Sequence, residues 1–117
     1  MSVSPGILNL TLSQGATWNV SMTYTNADGD PIDLTTYSAR MQARTTYEAA
    51  NAILDLSDGD GISLGGTAGG VTISVSAGTT ATIPAAQYVY DLELVSASNE
   101  VTRLIEGTLI VTPEVTR

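Results

Sequence analysis

The sequence predicts an all-β domain of short antiparallel strands, and three observations carry that reading. Apolar and polar residues alternate with period two in one run after another, most cleanly from Thr17 to Thr25, as they do in a strand with one buried face. Clusters of Gly, Asn, Asp and Ser separate these runs at short intervals. No stretch holds a 3.6-residue period long enough for a long helix. A chain of 117 residues predicts one domain, residues 1–117, large enough to bury a core without disulfide or metal staples. Aromatic residues make up only 5% and Phe is absent, so that core must be mainly aliphatic.

The elements follow in order. In Ile7–Ser13, Leu8, Leu10 and Leu12 alternate with polar residues and predict a first strand, and Gln14-Gly15 a turn. Trp18, Val20, Met22 and Tyr24 share one face of the second strand, while Thr17, Asn19, Ser21 and Thr23 share the other. Asn26 to Pro31 is dense in turn formers. Asp33 is placed to cap a short helical turn that lets Leu34 and Tyr37 drop into the core. Ser38–Arg44 reads as a strand with Ala39, Met41 and Ala43 inward and Arg40, Gln42 and Arg44 outward, followed by a loop from Thr45 to Asn51. Ala52–Ser57, Ile62–Leu64 and Val71–Ser76 are further strands, separated by the Asp58–Gly61 turn and the Gly65–Gly70 connection. Ala77 to Gln87 crosses back, with a helical turn expected near Thr79–Ala81.

Two strands close the chain, and their turn fixes a register. A three-residue loop, Ala97 to Asn99, puts Asn99 in the left-handed conformation that ends a common hairpin type. Val95 then faces Val101, Glu93 faces Arg103 and Asp91 faces Ile105. Glu93 and Arg103 are the expected cross-strand ion pair. Tyr88, Tyr90, Leu92, Leu94 and Leu104 line the core side. This register also turns Glu106 inward. A bulge at Gly107 is therefore expected, because it would turn Glu106 out and bring Leu109 and Val111 in. About seven or eight strands with no long helix suit an antiparallel immunoglobulin-like β-sandwich, without the Cys-Trp-Cys signature.

Composition narrows the chemistry. With no Cys and no His, disulfides, thiolate metal sites, Ser-His triads and most zinc sites are excluded. The net charge is −8 and the cations are only Arg40, Arg44, Arg103 and Arg117. That balance argues against nucleic acid and against anionic membranes as partners. Met1–Gly6 has no basic segment and no long apolar run, so neither a signal peptide nor a membrane helix is expected. Asp28, Asp30 and Asp33 have the alternating spacing of a calcium loop, but Gly29 comes too early, Pro31 interrupts and no Glu closes the set. Hairpin-turn chemistry is the expected reading, with these three as the one metal candidate. Gly65–Gly70 lacks the Lys and helix of a phosphate loop. Asp91, Glu93 and Glu106 lack the pocket that would split their pKa values, so no catalytic residue, no cofactor and no enzyme activity are expected.

Gly15–Trp18, Asp33–Tyr37 leading into Ala39–Gln42, Tyr88–Leu94, Val101–Gly107 and Val111–Arg117 resemble small structural proteins of tailed bacteriophages. The order is similar to the immunoglobulin-like modules of baseplate and receptor-binding assemblies, such as the N-terminal domain of upper-baseplate proteins. Those longer proteins continue into a fibre or coiled coil. The resemblance implies a non-enzymatic virion subunit, an adaptor or attachment protein of the tail, baseplate or fibre, assembled in the host cytoplasm. It also implies a symmetric homo-oligomer touching other virion proteins. A capsid-decorating protein is the near alternative. The extended termini, about residues 1–6 and 112–117, and the sheet edges are the expected contact points. A carbohydrate- or calcium-binding module is the alternative from another class, resting on Trp18, the five Tyr and the acidic 26–33 loop. Trp18 counts against it, since its strand parity points it at the core.

Overall fold

The computed structural model describes residues 6–116. It is mostly β, with 52% of residues in strands and 6% in helix. The strands are β1 (Gly6–Ile7), β2 (Leu10–Ser13), β3 (Trp18–Thr23), β4 (Ser38–Arg44), β5 (Leu54–Asp58), β6 (Gly61–Leu64), β7 (Gly70–Val75), β8 (Gln87–Val95) and β9 (Val101–Thr112). One four-residue helix, α1 (Ala77–Thr80), lies between β7 and β8, and its N-terminus is capped by Ser76, whose hydroxyl accepts from the Thr79 N–H.

All nine strands join one curled, mixed sheet in the order β1-β9-β8-β4-β5-β6-β7-β3, with β2 following β1 along the free side of β9. The predicted all-antiparallel pairing is corrected in two places. β1 and β2 run parallel to β9, and β5 runs parallel to β6 over two residue pairs. Parallel neighbours need a long connection or a chain that loops back on itself. The first case joins the two ends of the chain. The second is a tight loop through Asp58–Asp60, with Gly59 and Gly61 at φ of 84° and 94°. That short β5–β6 junction is the narrowest inside the hydrogen-bonded path, matched by the two-pair β1–β9 contact at its end.

The expected first strand is split, because the chain steps sideways at Leu8-Asn9 between β1 and β2. The step is held by Tyr90, whose hydroxyl donates to the Leu8 carbonyl, and by Asn9 Oδ1, which accepts from the Thr108 N–H at 3.1 Å. Gly107 lies directly under it. A Cβ there would sit 2.5 Å from the Leu8 carbonyl oxygen, so close approach of the backbone requires glycine.

The expected bulge is therefore misplaced. Pairing shifts between Leu92 and Glu93, so Leu104 is the residue left without a partner. Leu104 is half-buried, and Ile105 takes the core position instead. From there Asp91 faces Glu106, Tyr90 faces Gly107, and Leu109 and Val111 enter the core.

The core is one cluster. Met41, Leu92, Leu94 and Leu109 from the β9-β8-β4 side meet Ile62, Val71 and Ile73 from the β6-β7 side, all with essentially no exposure. Inward alternation is clean in β4, β7 and β8. In β3 only Trp18 is fully covered, while Val20 and Met22 are half-buried because none of the described strands flanks the far side of β3.

Polar ties hold the corners. Thr80 is fully buried. Its hydroxyl accepts from the Gly15 N–H at 3.0 Å and donates to the Ala16 carbonyl at 2.8 Å, with the Ala77 carbonyl at 3.1 Å as a second acceptor. Gln14 donates to the Ile83 carbonyl at 2.9 Å and accepts from the Glu114 N–H at 3.1 Å. The C-terminal segment expected to extend from residue 112 thus begins inside β9 and is tied to its own domain at Glu114. Residues 1–5 and 117 of the expected extended termini lie outside the described residues.

Candidate functional site

The charged residues of the terminal hairpin come together with those of β4 on one outer sheet face. β4 lies antiparallel beside β8, with Arg40 opposite Glu93, Gln42 opposite Asp91 and Arg44 opposite Val89. Since Ala39, Met41 and Ala43 fill the core, strand parity turns Arg40, Gln42 and Arg44 outward. β9 flanks β8 on the other side and adds Arg103 and Glu106.

The ion pairs differ from the predicted one. Glu93 and Arg103 are opposite in register, yet the Glu93 carboxylate takes Arg40 at 2.8 Å. Arg103 turns to Asp91 at 3.5 Å and to Glu106 at 3.6 Å. The unpaired Leu104 brings Glu106 out beside Asp91, within reach of Arg103 three residues earlier on β9. Arg44 donates to Gln42 Oε1 at 2.7 Å and to the Ala49 carbonyl at 2.9 Å, so it pins the loop that carries Tyr47.

Asp91 is the group most affected by these surroundings. Partial burial raises its pKa above the usual carboxylate value, and repulsion from Glu93 adds to this; Arg103 works against it. Tyr90, under the same strand, is pushed up to about 12 by burial. A shallow depression of about 230 Å³ lies on the face, lined by Gln42, Arg44, Tyr47, Val89, Asp91 and Glu93 among others. It is open to solvent. The Arg40 side chain is 56% exposed and that of Arg103 49%, so these are solvated ion pairs that order a surface and contribute little stability each.

Asn99 has φ of 65°, the only described residue other than glycine with a positive φ. Its N–H donates to the Ser96 carbonyl at 2.9 Å, and Ser96 Oγ accepts from the Glu100 N–H. Trp18 is buried, with its indole N–H donating to the Thr11 carbonyl at 3.0 Å; its ring is part of the core rather than a stacking platform.

Asp28, Asp30 and Asp33 do not converge. Asn26 Oδ1 closes their loop by accepting from the N–H groups of Asp28 at 2.9 Å and Asp30 at 3.1 Å. Asp33 turns to Thr35, accepting from its N–H and its hydroxyl, which lowers the Asp33 pKa. No group of three or more acidic, His or Cys side chains able to hold a metal is found among the described residues.

Sequence reasoning missed the role of Arg40 and Gln42 as neighbours of the hairpin. Their outward parity was readable, but which strand flanks β8 is a long-range fact. Thr80 was missed too, since a lone Thr carries no signal of burial.

Comparison with protein-family models and with curated proteins finds no match for this chain.

Proposed function

We propose that the chain is a non-enzymatic structural subunit of a tailed-bacteriophage particle, serving as an adaptor or attachment domain at the tail, baseplate or fibre. It works by presenting surfaces rather than by performing chemistry. The observation that supports this reading is the mostly β architecture around one core that accompanies the sequence resemblance. On this reading β2-β9-β8-β4-β5 and β6-β7-β3 are the two layers of the one curled sheet, folded over at the short β5–β6 junction.

A second feature supports that layout. Tyr88, at the start of β8, donates its hydroxyl to the Pro84 carbonyl at 2.6 Å. A tyrosine whose hydroxyl bonds back to the backbone a few residues upstream is a feature of immunoglobulin-like sandwiches. The free side of β3 offers a place for contact with a neighbouring subunit. It carries Asn19, Ser21 and Thr23 with no Lys, Pro or bulge to block strand addition.

Mass spectrometry of purified particles from cells carrying the gene in its native setting tests the reading. The chain is expected as a stoichiometric component. Particles that are complete and infectious without it would overturn the proposal.

A further inference from the structure

We propose that two copies of this chain pair, two-fold, through the outer face of β4, β8 and β9. This rests on the assembly reading above and deepens it by naming a surface and its occupant.

Charge distribution carries the inference. Every cation among the described residues, Arg40, Arg44 and Arg103, lies on this one face. Asp91, Glu93 and Glu106 stand with them, and Asp55, opposite Gln42 on β5, borders them. Of the other eight carboxylates, Glu48 lies in the loop beside Arg44, and none of the eight is in an ion pair among the described residues. Two copies meeting through surfaces that carry only such carboxylates bring like charges together, which opposes contact. Two copies meeting through this face bring rows of mixed sign against rows of mixed sign. A two-fold interface requires a patch complementary to itself, and alternating charges on one array of strands meet that requirement.

Shape points the same way. Tyr47 is 75% exposed and stands at the rim of the 230 Å³ depression. Its loop backbone is tied by the bond from Arg44 to the Ala49 carbonyl, which lowers the entropy cost of ordering that loop on docking. Under a two-fold axis each Tyr47 enters the depression of the facing copy, against Val89 and the stem of Arg44. Tyr and Arg are the residue types that anchor such interfaces.

Sedimentation velocity of the full chain, from low micromolar to near-millimolar concentration, tests this. A reversible monomer–dimer equilibrium is expected. Tyr47→Ala and Arg103→Glu should each weaken it by roughly tenfold or more. Asp28→Asn, in the exposed turn from Asn26 to Pro31, should leave it unchanged, and Ser21→Lys tests the competing contact along β3. Tyr47→Ala keeps the net charge, so its effect is separate from general repulsion, and far-ultraviolet circular dichroism verifies that each variant folds. A monomer throughout, a larger ring, or a dimer abolished only by Ser21→Lys would overturn the pairing. Those outcomes leave the particle reading to its own test, because the chain can be present in particles without pairing this way.

Discussion

Thr80 shows how much one side chain can decide. Its hydroxyl is the single polar side chain fully inside the described core, and it ties the turn before β3 to the helix before β8. Thr80→Val keeps the volume and removes the bonds, leaving the Gly15 N–H without its partner. A loss of about 1–3 kcal/mol is expected, read as a lower urea midpoint at unchanged slope. Asp91 and Asp33 supply opposite pH signals. The raised pKa of Asp91 means that its contribution is fully present below the unfolded value and is lost as pH rises through the folded one. The lowered pKa of Asp33 means that its contribution is present above the unfolded value and is lost as pH falls through the folded one. Stability measured against pH should therefore show Asp91→Asn gaining on the wild type as pH rises through the folded Asp91 pKa, with Asp33→Asn losing ground over the neighbouring acid window. Equal offsets at every pH would contradict both assignments.

At the scale of the elements, the hairpin was largely legible and its surroundings were not. Strand parity and the Asn99 turn are local properties, so the opposition of Glu93 to Arg103 could be counted out from the loop. Two things lay beyond that counting. Arg40 comes from a strand fifty-three residues away in sequence, and nothing local says that β4 flanks β8. Gly107 invited a bulge because glycine in a strand has two physical causes; here the cause is the chain crossing at Leu8, and the adjacent apolar pair Leu104-Ile105 was the better mark of changed parity. A double-mutant cycle should give Arg40 and Glu93 a coupling of about 0.2–1 kcal/mol, and Glu93 and Arg103 close to none. Gly107→Ala should cost about 1–3 kcal/mol through its clash with the Leu8 backbone. Gly78→Ala, in α1 with open space around its Cβ, should be neutral or stabilising by up to about 1 kcal/mol. Thermal melts of the two variants check the contrast.

For the whole molecule, fold class was readable because alternation and turn spacing repeat along the chain, whereas topology was not. That the first strands run parallel to the last, on its free side, depends on how distant segments meet. The apparent carboxylate cluster belongs to this scale too. Its acids become a solvated, mixed-charge surface once β4 lies beside them, on a molecule that is otherwise acidic. On the proposed function the question becomes one of neighbours, which the free side of β3 and the mixed-charge face of β4, β8 and β9 suit. Cryo-electron microscopy of the intact particle tests that claim most directly. The prediction is density for this domain at the tail, baseplate or fibre, in symmetric copies touching other subunits; a reconstruction whose density is fully assigned without this chain would contradict it.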